Sequence, residues 1–202
     1  MTLWDAHMHT SFSGDAHTPP EEMADTARGK QLPGITFTDH LDWDYRETPG
    51  MFDLDILADC RAAGYSPLIR SAYRTQAQQT TFYQNLVQAR MAQGLSQTEA
   101  QKQAATEVAV PGTSEHQLGL AVDLVDASYQ VLDEAQASTP AQQWLMAHCW
   151  EYGFILRYPA EKQDITGIIY EPWHYRYVGR DHAQAIRQSG QCLEEFLQAE
   201  HP

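Results

Sequence analysis

The chain has 202 residues, of which 43% are hydrophobic and 20% charged, and this balance predicts a soluble globule of one domain, or one domain with an appendage. With 13 Lys and Arg against 27 Asp and Glu, the formal net charge of −14 argues against nucleic acid as a partner. An anionic substrate would need a specific arginine in its pocket, because the overall field repels it.

No segment approaches the roughly 18 apolar residues of a membrane span. The first residues lack the basic start and apolar stretch of a secretory signal. As the sequence stands it predicts a cytoplasmic protein, or an extracytoplasmic one if a leader was removed. Cys60, Cys149 and Cys192 form no CxxC pattern, and we expect buried thiols without a disulfide.

The first 55 residues predict one βαβ unit. Leu3–His7 is predicted to be a strand, and Ile35–Thr38 a second one. Between them, Thr18-Pro19-Pro20-Glu21 predicts the start of a helix that extends to about Lys30. The character of the sequence changes near residues 48–56, so we expect two domains, 1–55 and 56–202.

The rest of the chain has an α+β pattern. The predicted helices are Asp53–Ala63, Gln76–Gln93, a capping box from Ser96 to Glu99 with its helix, Thr139 to Gly153, and two short helices around Gly190. The predicted strands are Leu68–Tyr73 and Leu118–Val125, with Ile168–Tyr170 and Trp173–Val178 as a β pair or one bent strand.

The residues that could bind a metal or take part in catalysis lie in three segments: SAYRTQAQQ (71–79), SEHQLGLAVD (114–123) and EPWH (171–174). His116, Asp123 and His174 form a set that suits a catalytic zinc, which typically has three protein ligands and one open position. A single histidine is more often a surface or core residue, and the chain has 9 of them. Spacing alone leaves both interpretations open.

EPWH cannot be a helical metal motif, because Pro172 disfavours an α conformation at Glu171. On a flat strand Glu171 and His174 would face opposite ways, so a bend at Pro172 is needed if they are to converge. Glu171 would then lie beside a metal-activated water as a general base. Arg74 and Gln79 are suited to hold an anionic C-terminus or an oxyanion.

The three segments, in this order, resemble the VanY-type D-alanyl-D-alanine carboxypeptidases, whose motifs read roughly SxYRxxxQ, SxHxxGxAxD and ExxH. The resemblance extends over about residues 57–197. It implies a small antiparallel sheet flanked by helices, with one catalytic zinc in a cleft and a peptide ending in D-Ala as substrate. It also implies individual roles: zinc ligands His116, Asp123 and His174, catalytic residues Glu171 and Arg74, and substrate-binding residues Gln79, Ser114 and Trp173.

The N-terminal segments DAHMHTSFSGDA (5–16) and GITFTDHLDWDY (34–45) resemble the opening of PHP-family phosphoesterases such as histidinol-phosphatase. That resemblance implies metal ligands at His7, His9 and His40. A closed barrel needs about 200 residues, whereas one βαβ unit ends near Leu54. We therefore expect a non-catalytic fragment that packs on the peptidase or mediates self-association through a strand edge.

Three functional hypotheses follow: a zinc D,D-carboxypeptidase, a PHP-type phosphoesterase, and a non-catalytic zinc-containing binder of peptidoglycan peptides. The intact Glu171 speaks against the binder, and the lack of later PHP motifs speaks against the phosphoesterase. Dipeptide versus pentapeptide preference, D,D versus L,D specificity and oligomeric state stay open.

Overall fold

The structure is a computed structural model, and it describes most of the chain, namely residues 5–8, 20–29, 35–37 and 55–200. The chain divides into two compact units, Met1–Asp53 and Leu54–Pro202. No helix within these described ranges is long and apolar enough to cross a membrane.

The first unit contains a parallel pair of strands joined through a helix. Strand β1 (Asp5–Met8) pairs with strand β2 (Ile35–Phe37), and helix α1 (Pro20–Gly29) lies between them in the chain. A parallel pair needs such a crossover because its strands run in the same direction. The predicted βαβ unit is therefore confirmed.

The second unit begins with four elements: α2 (Asp55–Ala62), β3 (Pro67–Ser71), α3 (Gln76–Ala92) and α4 (Gln97–Ala104). The predicted capping box is present at α4, where the Ser96 side chain accepts from the Glu99 N–H and the Glu99 side chain accepts from the Ser96 N–H. Gly94 follows α3 with a φ of 98°, a conformation that favours glycine and stops the helix.

Seven further elements complete this unit: β4 (Ala121–Asp126), α5 (Pro140–His148), β5 (Phe154–Leu156), α6 (Gln163–Thr166), β6 (His174–Tyr177), α7 (Arg180–Ser189) and α8 (Leu193–Glu200). The Thr139 hydroxyl accepts from the Gln142 N–H at the start of α5. Gly190 ends α7 in the left-handed conformation, between the two short helices that the sequence predicts.

Four strands form one antiparallel sheet in the order β3–β4–β6–β5. All six residues of β4 are buried, which makes this strand the centre of the unit. The α+β prediction of a small antiparallel sheet with helices is confirmed.

Helices α7 and α8 pack on the β5 edge through one apolar cluster: Ile155, Ala183, Ile186, Leu193 and Phe196. The three cysteines are buried and free, as predicted.

Two strand predictions need correction. Residues Glu115–Leu118 form a 3-10 turn that ends at Gly119, and β4 begins only at Ala121, because Gly119 takes a left-handed φ of 67°. Residues 168–170 are not a strand; the Ile169 N–H donates to the Thr106 carbonyl instead. The second partner of β6, besides β4, is β5. Its three residues are all apolar and too few to show the alternation of apolar and polar residues that identifies a strand.

Candidate metal centre and active site

Three buried polar residues converge at the middle of the sheet. His116 lies in the 3-10 turn, Asp123 on β4 and His174 on β6. Asp123 and His174 are directly opposite each other in the antiparallel β4–β6 pair, so their side chains leave the same face. One potential ligand atom of each residue lies within 4.8 Å of the other two. The three predicted ligands therefore form one cluster.

The carboxylate of Asp123 is at the centre of this cluster. Its Oδ1 atom lies 3.3 Å from His116 Nε2 and 3.3 Å from His174 Nδ1. This oxygen is buried, and no group of the described residues forms a well-oriented hydrogen bond with it. Burying a carboxylate oxygen without a hydrogen bond costs free energy of folding unless a cation binds it. Two imidazole nitrogens and a carboxylate oxygen are donors that zinc binds, so the residues fit a zinc ion.

A backbone carbonyl sets the orientation of His116. Its Nδ1 lies 2.7 Å from the carbonyl oxygen of Ala72, so Nδ1 carries the proton that it donates. The other nitrogen, Nε2, then offers a lone pair toward Asp123. Metal-binding histidines are commonly fixed in this way.

Glu171 reaches the cluster through the bend that the sequence requires at Pro172. The His174 N–H donates to the Glu171 carbonyl oxygen over 3.1 Å, which closes a turn just before β6. Glu171 Oε2 then lies 3.4 Å from His174 Nδ1. Burial raises the pKa of the Glu171 carboxyl to about 8, and a divalent cation in the cluster would favour its carboxylate form.

The acidic groups favour positive charge at the centre of the cluster. Burial alone would raise the pKa of Asp123, but His116 and His174 hold it well below its usual range. Burial alone would lower the pKa of His174, but the carboxylates of Asp123 and Glu115 raise it to about 9. The same negative groups that retain a proton on His174 would attract a metal ion in its place.

Arg74 turns its guanidinium toward the metal cluster. It donates from Nη2 to Asp123 Oδ2 over 2.8 Å, from Nε to Ser71 Oγ over 2.9 Å, and from Nη1 to Gln79 Oε1 over 3.3 Å. Ser71 is paired with Asp123 across β3 and β4. Arg74 therefore supports the carboxylate of a predicted metal ligand, a contact that the sequence did not indicate.

A small cavity opens beside the cluster. The described residues that line it are Arg74, Glu107, Ala109, Ser114, Glu115, His116, Tyr158, Ile168, Glu171 and His174. The predicted substrate-binding residues Gln79 and Trp173 are buried but are not among these. The Gln79 amide donates to the Ala109 carbonyl oxygen over 2.7 Å while its oxygen accepts from Arg74. Direct contact of Gln79 or Trp173 with a substrate stays a prediction.

Sequence reasoning missed three residues near His174. Glu115 Oε2 lies 3.5 Å from His174 Nε2, and Arg157 Nε donates to Glu115 Oε1 over 2.8 Å. The ring of Tyr158 is centred 4.9 Å from that of His174. The one available signal was Glu115 itself, a charged residue directly before a predicted ligand.

The N-terminal histidines cannot be placed in a site. His7 lies on β1, and His9 and His40 lie outside the described residues. Metal binding by this group stays a prediction.

The comparisons with known proteins agree with this geometry. The VanY family model, described as D-alanyl-D-alanine carboxypeptidase, matches residues 53–180. The chain is 44% identical over 158 residues to the D-alanyl-D-alanine carboxypeptidase of Enterococcus faecalis, which covers 78% of this chain and 56% of that protein. The chain spans about half the length of the first curated relatives that it matches.

Two solved structures are similar to this chain over most of its length. VanYB in complex with D-alanine-D-alanine shares 42% identity at a TM-score of 0.66, over 72% of this chain and 78% of that one. A glutamate-to-alanine mutant of VanY, a vancomycin resistance D,D-pentapeptidase, was solved in complex with Zn(II). It shares 43% identity at a TM-score of 0.63, over 71% of this chain and 78% of that one.

The family match includes every residue of the predicted site, from Arg74 to His174. In the structure, four of these residues surround one point: His116, Asp123, Glu171 and His174. The chain belongs to the VanY family of D-alanyl-D-alanine carboxypeptidases.

Proposed function

We propose that this protein is a zinc-dependent carboxypeptidase that hydrolyses the terminal D-Ala-D-Ala bond of peptidoglycan-type peptides. The observation that carries the proposal is the buried cluster of His116, Asp123 and His174 with the Glu171 carboxylate 3.4 Å from His174 Nδ1. The similar VanY structures with D-alanine-D-alanine and with Zn(II) support the choice of substrate and metal.

His116, Asp123 and His174 would hold the zinc ion, and Glu171 would do the proton chemistry. When bound, zinc supplies a Lewis acid that polarises a carbonyl group and acidifies water. Glu171 takes the proton from the attacking water and returns it to the leaving amine of the terminal D-Ala. Its burial beside the cluster keeps the carboxyl out of bulk water, where its proton would be lost to solvent.

Arg74 is the residue that we propose for binding the substrate's free carboxylate or developing oxyanion. Among the described residues that line the cavity it is the one Arg or Lys, whereas Glu107, Glu115 and Glu171 are acidic. A substrate carboxylate entering a protein of net charge −14 needs such a local cation. Ser114 is buried at the cavity wall and does not cap the 3-10 turn, so we propose that its hydroxyl binds the peptide backbone.

For the N-terminal unit we propose a non-catalytic role. The described residues of this unit form one helix and one pair of parallel strands, whereas a closed α/β barrel has eight strands. Self-association through its strand edge stays a prediction.

One panel of substrates tests these proposals. Zinc-loaded protein is incubated with a pentapeptide ending in D-Ala-D-Ala, the same peptide ending in L-Ala, a tetrapeptide with an L,D bond, the dipeptide D-Ala-D-Ala, and a phosphate monoester. We expect release of D-Ala from the pentapeptide and no phosphate. Release of phosphate would support the PHP reaction, and binding of the pentapeptide without hydrolysis would support the non-catalytic binder.

A further inference from the structure

His174 uses both of its ring nitrogens. Nδ1 faces Asp123 and Glu171, whereas Nε2 lies on the far side of the ring, 3.5 Å from Glu115 Oε2. Nε2 and Glu115 Oε2 are both buried, and neither forms a well-oriented hydrogen bond with any described group. A small rotation that brings the two together would satisfy both atoms at once.

Glu115 is held in this position by two arginines. Its Oε1 accepts from Arg157 Nε over 2.8 Å and lies 3.1 Å from Arg176 Nη1. With Oε1 occupied, Oε2 is the atom left for His174. The two arginine contacts favour the carboxylate form of Glu115, which can accept a hydrogen bond but cannot donate one.

The terminal nitrogens of Arg157 bind the last helix of the unit, α8. Its Nη1 and Nη2 donate to the two carboxylate oxygens of Glu194 over 3.0 Å and 2.6 Å. Such a bidentate pair fixes the plane of the guanidinium as well as its position. Glu194 lies on α8 between Leu193 and Phe196, which anchor that helix in the apolar cluster at β5.

We propose that α8 is a support of the metal site. Glu194 fixes Arg157, Arg157 fixes Glu115, and Glu115 accepts the Nε2–H of His174, which keeps Nδ1 directed at the metal. Carboxylates that bind the second nitrogen of a metal-ligating histidine orient the ring and make it a stronger ligand. Glu194 and Arg157 are thus positioning residues, and Glu194 lies beyond residues 53–180 that the family model matches. The inference rests on the metal site of the proposed function and not on the peptidase reaction.

The next residue of α8 provides a matched control. Glu195 also forms an ion pair, with Lys162 Nζ 2.8 Å away, and the side chains of Glu194 and Glu195 are both 29% exposed. Glu194→Gln and Glu195→Gln therefore remove the same charge from the same helix and each weaken one ion pair. Only the first touches Arg157.

Two measurements on the full chain test the proposal. The zinc dissociation constant is determined by competition with a chromophoric chelator, and the histidine Nε2–H signal of zinc-loaded protein is followed by ¹H–¹⁵N NMR. Outer-shell substitutions cost about 10–100-fold in metal affinity, so we expect about tenfold weaker zinc binding in Glu194→Gln, with a shifted His174 signal. We expect neither change in Glu195→Gln.

Equal zinc affinity and an unmoved His174 signal in the two variants would overturn the proposal. If Glu194→Gln folds poorly by circular dichroism, Arg157→Lys is measured in its place. This variant keeps the positive charge but loses the bidentate geometry of the guanidinium, and its zinc binding should be weaker likewise. Both measurements report metal binding and not hydrolysis. If these effects are observed but no D-Ala peptide is cleaved, this inference stands and the proposed function is wrong.

Discussion

Arg74→Ala tests how the site binds an anionic substrate. The guanidinium is held in place by Ser71 and Gln79, and Gln79 is itself fixed by the carbonyl oxygen of Ala109. The remaining nitrogen, Nη2, donates to Asp123, and Arg74 lines the cavity. Substitution by alanine removes the positive charge from the cavity wall and also the hydrogen bond to Asp123, so zinc content has to be measured beside the kinetics.

The expected magnitude follows from the lost donors. A hydrogen bond to a charged group contributes about 1.5–3 kcal/mol, so kcat/KM for a carboxylate-terminated peptide should fall about 10–150-fold. The loss appears in KM if Arg74 binds ground and transition states equally, and also in kcat if it binds the developing oxyanion. Arg74→Lys should recover only part of the loss, because one ammonium cannot contact Ser71, Gln79 and the substrate together.

The assay is steady-state hydrolysis at saturating zinc, with zinc content measured in each variant. Arg70→Ala is the matched control, because Arg70 is an exposed arginine on β3 and its loss changes the net charge equally. The kcat/KM of Arg70→Ala should equal that of the wild type. If Arg74→Ala retains zinc and its kcat/KM stays within about twofold of the wild type, another residue anchors the substrate.

Four further outcomes are expected. Glu171→Gln should keep zinc but lose about 10²–10⁴-fold in kcat, and normal turnover with zinc bound would remove Glu171 from the mechanism. A zinc chelator should abolish hydrolysis and lower the melting temperature, with both restored by added zinc; activity that survives metal removal would contradict the metal site. Deleting residues 1–52 should leave hydrolysis detectable, because the family match begins at residue 53; a folded, zinc-bound but inactive product would give the N-terminal unit a part in the site. Tyr175→Phe should lower the free energy of unfolding by about 1–3 kcal/mol, because it leaves the buried Gln142 Oε1 without a hydrogen-bond donor. The measurement is a urea titration followed by tryptophan fluorescence. An unchanged free energy of unfolding would mean that this hydrogen bond does not contribute to stability.

Helix boundaries could be predicted from the sequence because their signals are local. The capping box at Ser96, the hydroxyl cap at Thr139 and the glycines at 94 and 190 all act within a few residues of the helix end that they mark. The bend at Pro172 was predictable for the same reason, since it depends on the residue before a proline.

Contacts between distant segments could not be predicted in this way. Glu115 meets Arg157, Arg176 and His174, each from a later part of the chain, and no spacing rule connects them. Strand β5 has three residues and is recognised only by its pairing with β6. The metal ligands themselves were found through the motifs of a known family, because the residues alone left the site undecided.

The register of β6 explains why stability and chemistry depend on each other here. Successive residues of a strand face opposite sides, so a slip of one residue would exchange His174 with Tyr175 at the metal cluster. Tyr175 prevents the slip: its ring is fully buried and its hydroxyl donates to Gln142, whose amide in turn donates to the Leu124 carbonyl oxygen on β4. Moving His174 away from Asp123 would break the hydrogen bond between Tyr175 and Gln142 and displace the ring from its buried position. The core on one face of the sheet therefore holds the ligand on the other.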